Sequence, residues 1–109
     1  MENNLLYTYF KPVLKQEHYL FAGEIAQKYN ILTRTDKIAD AFVSSYLKEL
    51  ANKTKGYEQL YYSTRYGMSR VYPANFYRPA INNLIAKIGY NNETKITVGN
   101  KNYYVKVVK

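Results

Sequence analysis

Residues 43–53, VSSYLKELANK, have the spacing of an amphipathic helix, and the rest of the architecture can be worked out from them. Tyr46, Leu47 and Leu50 fall on one side of such a helix, at separations of three and four residues. Ser44 and Lys48 fall on the other side. The pattern therefore predicts one face packed in a core and one polar face whose role has to be explained.

The same pattern extends upstream. Thr35 or Asp36 could accept hydrogen bonds from the free amides of a helix start, which predicts a helix from there to about Lys53. Its apolar arc would hold Ile38, Ala39, Phe42, Val43, Tyr46, Leu47 and Leu50. Its polar arc would hold Lys37, Ala41, Ser44 and Lys48. With Asp40 and Glu49 expected on the flanks, no carboxylate lies at the centre of the polar arc.

The elements on either side of this helix are also predicted by pattern. AGEIAQKYNI belongs to a helix from about Phe21 to Tyr29, with Asn30 as a left-handed C-terminal residue. Residues alternate in character along 57–73, YEQLYYSTRYGMSRVYP, which predicts a β-hairpin with its loop near 66–69. Arg65 and Arg70 would flank that loop.

Beyond Pro73 the sequence predicts a further helix and a second hairpin. NFYRPAINNLIAKIG carries one apolar stripe, with Pro79 expected in the first helical turn. KITV and YYVKVV are the two strands of the hairpin. Residues 1–18 are predicted to form an N-terminal arm or helix, and the 109 residues together fit one domain.

Two helices followed by a two-stranded ribbon resemble a winged helix-turn-helix nucleic-acid-binding domain. AGEIAQKYNI resembles its first helix, VSSYLKELANK the second half of its recognition helix, and the 57–73 hairpin its wing. The resemblance covers about residues 20–73 and implies an α+β fold, a winged helix-turn-helix with an additional C-terminal helix and β-hairpin at 74–109. It also implies that the second helix enters the major groove of DNA while the wing contacts the backbone or the minor groove.

Charge placement favours a polyanionic partner. The net charge is +8, yet residues 1–52 contain six basic and six acidic residues. Residues 53–109 contain ten basic residues and only Glu58 and Glu93 on the acidic side, so they carry the whole excess. Such asymmetry is typical of nucleic-acid-binding proteins, although a solubilising surface is the alternative.

The predicted nucleic-acid-binding residues combine the polar helix face, the turn before it, the lysines after it and the wing. They are Thr33, Arg34, Thr35, Lys37, Ala41, Ser44, Lys48, Lys53, Lys55, Tyr62, Arg65, Tyr66 and Arg70. Small residues permit close approach to the groove, and polar or basic ones meet base edges and phosphates.

The leading hypothesis is a DNA-binding protein: a small transcriptional regulator or a replication accessory factor of a bacterial, phage or plasmid type. Double-stranded DNA is favoured, with a homodimer or a protein partner left open. In a second hypothesis the hairpin binds single strands, with Tyr61, Tyr62, Tyr66 or Tyr72 stacking under bases. In a third, the chain is a small mobile-element protein that inhibits or modulates a host protein complex.

Other chemistry has few candidates. The chain has no cysteine, a single histidine at position 18 and five isolated glycines, so no thiolate site, metal cluster or phosphate-binding loop is expected. We therefore expect no enzyme activity, no metal and no cofactor. Without cysteines, a signal peptide or an apolar stretch of about 20 residues, the chain is expected to be cytoplasmic and free of the membrane.

Overall fold

A computed structural model describes residues 19–64 and 67–109 of the chain. The predicted N-terminal arm, residues 1–18, lies outside the described residues, as do Arg65 and Tyr66. The described part contains three helices: α1 (Ala22–Lys28), α2 (Asp40–Lys53) and α3 (Ala74–Ile88). It contains six strands: β1 (Tyr19–Leu20), β2 (Ile31–Thr33), β3 (Leu60–Thr64), β4 (Gly67–Pro73), β5 (Thr94–Val98) and β6 (Lys101–Val107). The predicted α+β class is confirmed.

The strands form two antiparallel sheets of three strands each. One has the order β1-β4-β3, so the 60–73 hairpin is extended by the short strand before α1. The other has the order β2-β6-β5, so the strand after α1 pairs with the C-terminal hairpin. Ile31 lies opposite Val107 and Thr33 opposite Val105 in that pairing. The C-terminal hairpin is thereby tied to the segment that joins α1 to α2.

A single hydrophobic cluster joins the helices and both sheets. Phe42, Val43 and Leu47 of α2 are buried in it, as the helical spacing predicts. Val105 and Val107 of β6 belong to the same cluster, and Ile81 and Leu84 of α3 are also fully buried. Burial of this apolar surface is the main force that holds α2 in one orientation, and it leaves the opposite face of the helix outside.

The predicted start of α2 was wrong. The helix begins at Asp40, because residues 33–39 form a turn instead. Thr33 Oγ1 accepts hydrogen bonds from the amides of Thr35 at 3.3 Å and Lys37 at 3.2 Å. The Thr33 amide in turn donates to the Lys37 carbonyl at 2.7 Å. A threonine side chain that satisfies nearby amides competes with helix formation, and here the turn is preferred.

Two further details of the sequence prediction need correction. Pro79 is the sixth residue of α3 rather than part of its first turn, because the helix already begins at Ala74 after Pro73. Ile38 was expected in the core but is 39% exposed, since it belongs to the turn and bridges to Leu32. By contrast, Asn30 is left-handed as predicted, with φ of 55°.

Candidate nucleic-acid interface

The exposed face of α2 is the first component of the site. Ala41, Ser44 and Lys48 are all exposed, while Phe42, Val43 and Leu47 between them are buried. They lie three and four residues apart, so their side chains follow one stripe along the helix. The helix therefore presents a stripe of small and basic residues to a partner.

This stripe forms one wall of an open groove of about 780 Å³, here called the hairpin-side groove. Arg70, Ser69 and Tyr72 of β4 line the facing wall. The start of α1 and Asp40, the first residue of α2, supply the rest of the lining. The groove thus brings together Lys48 and Arg70, two cations that are 22 residues apart in sequence.

Arg70 is held within the hairpin rather than at its tip. It is the fourth residue of β4 and lies opposite Tyr61 in the β3–β4 register, so the predicted position beside the loop was wrong. Its Nη1 donates to Gln59 Oε1 at 2.8 Å, and its guanidinium lies 5.7 Å from the centre of the Tyr61 ring. These contacts hold the positively charged guanidinium along the groove wall.

The tyrosines of the hairpin have different environments. Tyr72 is only 1% exposed, so its predicted role under a base was wrong. Burial raises its pKa, while the charge and hydrogen bond of Arg70 act in the opposite direction. Tyr62 is half-buried and its ring packs edge-on against Phe21 at 5.9 Å. Tyr62 therefore supports the edge of the groove from the hairpin side.

A smaller groove of about 270 Å³ lies on the other side of the α2 start, here called the turn-side groove. Thr33, Arg34 and Thr35 line it together with residues 102–105 of β6. Asp40 and Ala41 line both grooves, so the first turn of α2 separates them. The three residues predicted at the start of the helix are thus beside the stripe, although in a different local structure.

Arg34 is the cation in the lining of the turn-side groove, and two contacts constrain it. Its Nε donates to Glu93 Oε2 at 2.9 Å, and its guanidinium lies 3.9 Å from the centre of the Tyr104 ring. Both partners of this ion pair are exposed, so the pair contributes little to stability. The side chain is nevertheless held over the ring, and a phosphate would have to compete with Glu93 for it.

The C-terminal hairpin places a further cation beside a tyrosine that packs on α2. Tyr103 packs its ring 5.5 Å from Phe42, and its hydroxyl lies 3.0 Å from Ser45 Oγ. The amine of Lys101 lies 5.3 Å from the centre of the same ring. The contacts with Phe42 and Ser45 hold Tyr103 against α2. The Lys101 amine beside this ring therefore lies on the flank of α2.

Of the remaining predicted residues, the three lysines line neither groove. Lys37 is exposed in the turn before α2 and lines neither groove. Lys53 and Lys55 are exposed at the far end of α2, where Lys53 pairs with Glu49 at 3.6 Å. Arg65 and Tyr66 were predicted at the wing tip, outside the described residues.

The sequence interpretation missed Asp40, which was assigned to a flank of α2 but lines both grooves. Helical geometry could have found it, since Asp40 and Ser44 are four residues apart and so only about 40° apart around the axis. Ser69 had no such signal, because its position opposite Tyr62 depends on the register of β3 with β4. Phe21 and Gly23 had no signal in sequence, since their place in the groove depends on how α1 packs.

Among residues 19–64 and 67–109, no helix combines the length and apolar character needed to cross a membrane. No three of their histidine or acidic side chains lie close enough together to hold a metal ion.

The chain was also compared with known proteins. No family model, no curated protein and no solved structure matches it, so any function has to be inferred from the site itself.

Proposed function

We propose that the protein binds double-stranded DNA through α2, as a winged-helix-like unit formed by residues 20–73. The observation that carries this proposal is that the exposed stripe of α2 and Arg70 of the neighbouring hairpin line one groove. The order of two helices and a ribbon supports it further. In this proposal the stripe faces base edges while Lys48 and Arg70 contact phosphates.

Electrostatics favours an anionic partner for this surface. Lys37, Lys48 and Lys101 form no ion pair with another described residue, so their charges are free for phosphates. Arg70 is bonded to a neutral amide of Gln59, which leaves its charge uncompensated. Neutralising DNA phosphates with such cations releases condensed counterions, which supplies most of the affinity of non-specific binding. A transcriptional or replication role would require sequence preference in addition.

Fluorescence anisotropy tests the proposal directly. The full chain is titrated into a labelled duplex and into each of its single strands at about 50 and about 200 mM salt. We expect tighter binding to the duplex, with an affinity that falls steeply as salt rises. Absence of binding to any duplex at the lower salt would contradict the proposal.

A second candidate is a single-strand-binding protein, favoured by the half-buried Tyr61 and Tyr62 on β3. Aromatic rings that remain partly accessible can stack on unpaired bases. Preference for single strands that is lost on Tyr62→Ala, but retained on the exposed Tyr90→Ala, would select this candidate. Association with a host protein complex and no nucleic-acid affinity would instead favour the mobile-element hypothesis.

A further inference from the structure

An unpaired carboxylate lies in the basic groove. Asp40 is exposed, begins α2 and lines the hairpin-side groove together with Lys48 and Arg70. Its side chain forms no hydrogen bond or ion pair with another described residue. A negative charge at this position opposes phosphate binding, so its presence in a DNA-binding groove requires a reason.

Asp40 differs in this respect from most carboxylates of the described residues. Four others have a cation or a backbone amide within 3.6 Å: Glu24, Asp36, Glu49 and Glu93. Glu58 also forms no such contact with a described residue, but it lines neither groove. Asp40 is therefore the carboxylate whose acceptor oxygens are free inside the proposed interface.

Few groups of a DNA duplex can donate a hydrogen bond to the Asp40 carboxylate. Phosphates and carbonyl oxygens of bases are acceptors and would repel a carboxylate. In the major groove the exocyclic amino groups are the donors, and an aspartate is matched to the N4 amino group of cytosine. The first residues of a recognition helix are those that reach base edges, which is the position Asp40 occupies in α2.

We infer that Asp40 reads a cytosine, by accepting a hydrogen bond from its N4 amino group in a C·G pair. This inference rests on the proposed function, because it assumes that α2 enters the major groove. Lys48 and Arg70 would hold the backbone in register while Asp40 selects the base. An acidic residue in the first turn also stabilises a helix through the helix dipole, so the test has to report on base preference and not on stability.

The test is selection from a duplex library with randomised positions, using the full chain and the variants Asp40→Asn, Asp40→Ala and Glu58→Gln. We expect the wild type to enrich cytosine at one position. Asp40→Asn should enrich adenine there, because an asparagine amide is matched to adenine N6 and N7. Asp40→Ala should lose the preference, a change of roughly 5- to 10-fold in discrimination at that position. Glu58→Gln is the matched control, and it should select the same sites as the wild type.

The outcomes separate this inference from the proposed function. If both Asp40 variants bind duplex and select the sites of the wild type, Asp40 reads no base, and DNA binding stands without it. Wild-type binding with no sequence preference would likewise overturn the inference alone. If the wild type binds no duplex, the proposed function fails and the inference fails with it. Thermal unfolding of each variant verifies that it is folded, which the exposure of Asp40 leads us to expect.

Discussion

Replacing Lys48 by alanine should weaken duplex binding by an amount that depends on salt. Lys48 is exposed at the C-terminal end of the stripe and forms no ion pair with a described residue, so its removal leaves the core intact. If its amine contacts one phosphate, the slope of log K against log salt should become shallower by about 0.9. Loss of this one phosphate contact should lower the binding constant roughly 15-fold at about 50 mM salt and roughly 4-fold at about 200 mM.

The whole interface can be treated in the same way. Four candidate cations are Lys48 and Arg70 in the hairpin-side groove, Lys37 in the turn before α2 and Lys101 beside the Tyr103 ring; none has a carboxylate partner among the described residues. If each contacts one phosphate, the wild-type slope should be about −3.6, and affinity should fall roughly 150-fold between about 50 and 200 mM salt. Contacts made by Arg65 would add to this slope.

The assay is anisotropy at four or more salt concentrations for the wild type, Lys48→Ala and Lys87→Ala. Lys87 is exposed in the last turn of α3 and lines neither groove. Lys87→Ala therefore removes the same charge as Lys48→Ala, but it should leave the slope of log K against log salt unchanged. The reasoning is refuted if Lys48→Ala lowers affinity equally at all salt concentrations, or if Lys87→Ala has the same effect. Urea unfolding should show that both variants keep wild-type stability within about 0.5 kcal/mol.

Three predictions concern stability. Tyr57→Phe should raise the free energy of unfolding by about 1 kcal/mol in urea titrations, because its buried hydroxyl has no hydrogen-bond partner in the described residues; an unchanged or lower value would contradict this. Tyr103→Phe should lower the free energy of unfolding by a similar amount, since it breaks the 3.0 Å hydrogen bond with Ser45; an unchanged or higher value would contradict this. The free energy of unfolding should also fall as pH rises above about 10. Burial raises the pKa values of Tyr57 and Tyr72 above their ordinary 10.0. Above that pH the unfolded chain therefore binds fewer protons than the folded one, which favours unfolding. Below that pH these two groups should leave stability constant, and in Tyr57→Phe the decline should be shallower; identical pH profiles for the two proteins would argue against the role of Tyr57.

Secondary structure was predicted well wherever periodicity was strong. The apolar residues of α2 and α3 recur at three and four residues, and Phe42, Leu47 and Ile81 are buried accordingly. The two hairpins were found because apolar and polar residues alternate along their strands. The boundaries were less predictable, as the start of α2 shows, because the Thr33 side chain decides between turn and helix through contacts of 3.2–3.3 Å.

The candidate site was only partly predictable. Ala41, Ser44 and Lys48 follow from helical spacing alone, since a helix that buries Phe42 and Leu47 must expose the opposite side. Arg70 was predicted to share a surface with the stripe, but at the tip of the hairpin. Its position as the fourth residue of β4, opposite Tyr61, depends on the register with β3, which residue type alone does not specify.

The amino-acid sequence by itself determined which segments form helices and hairpins, which face of α2 is apolar, and that the excess positive charge lies after residue 52. These properties depend on local periodicity and residue type. Only the tertiary structure decided that α2 and β4 share a groove, that the C-terminal hairpin pairs with β2, and that Asp40 and Arg70 line the same groove. The physical reason is that such neighbours are separated by many residues along the chain, and they meet only when burial of the common core orients the elements that carry them.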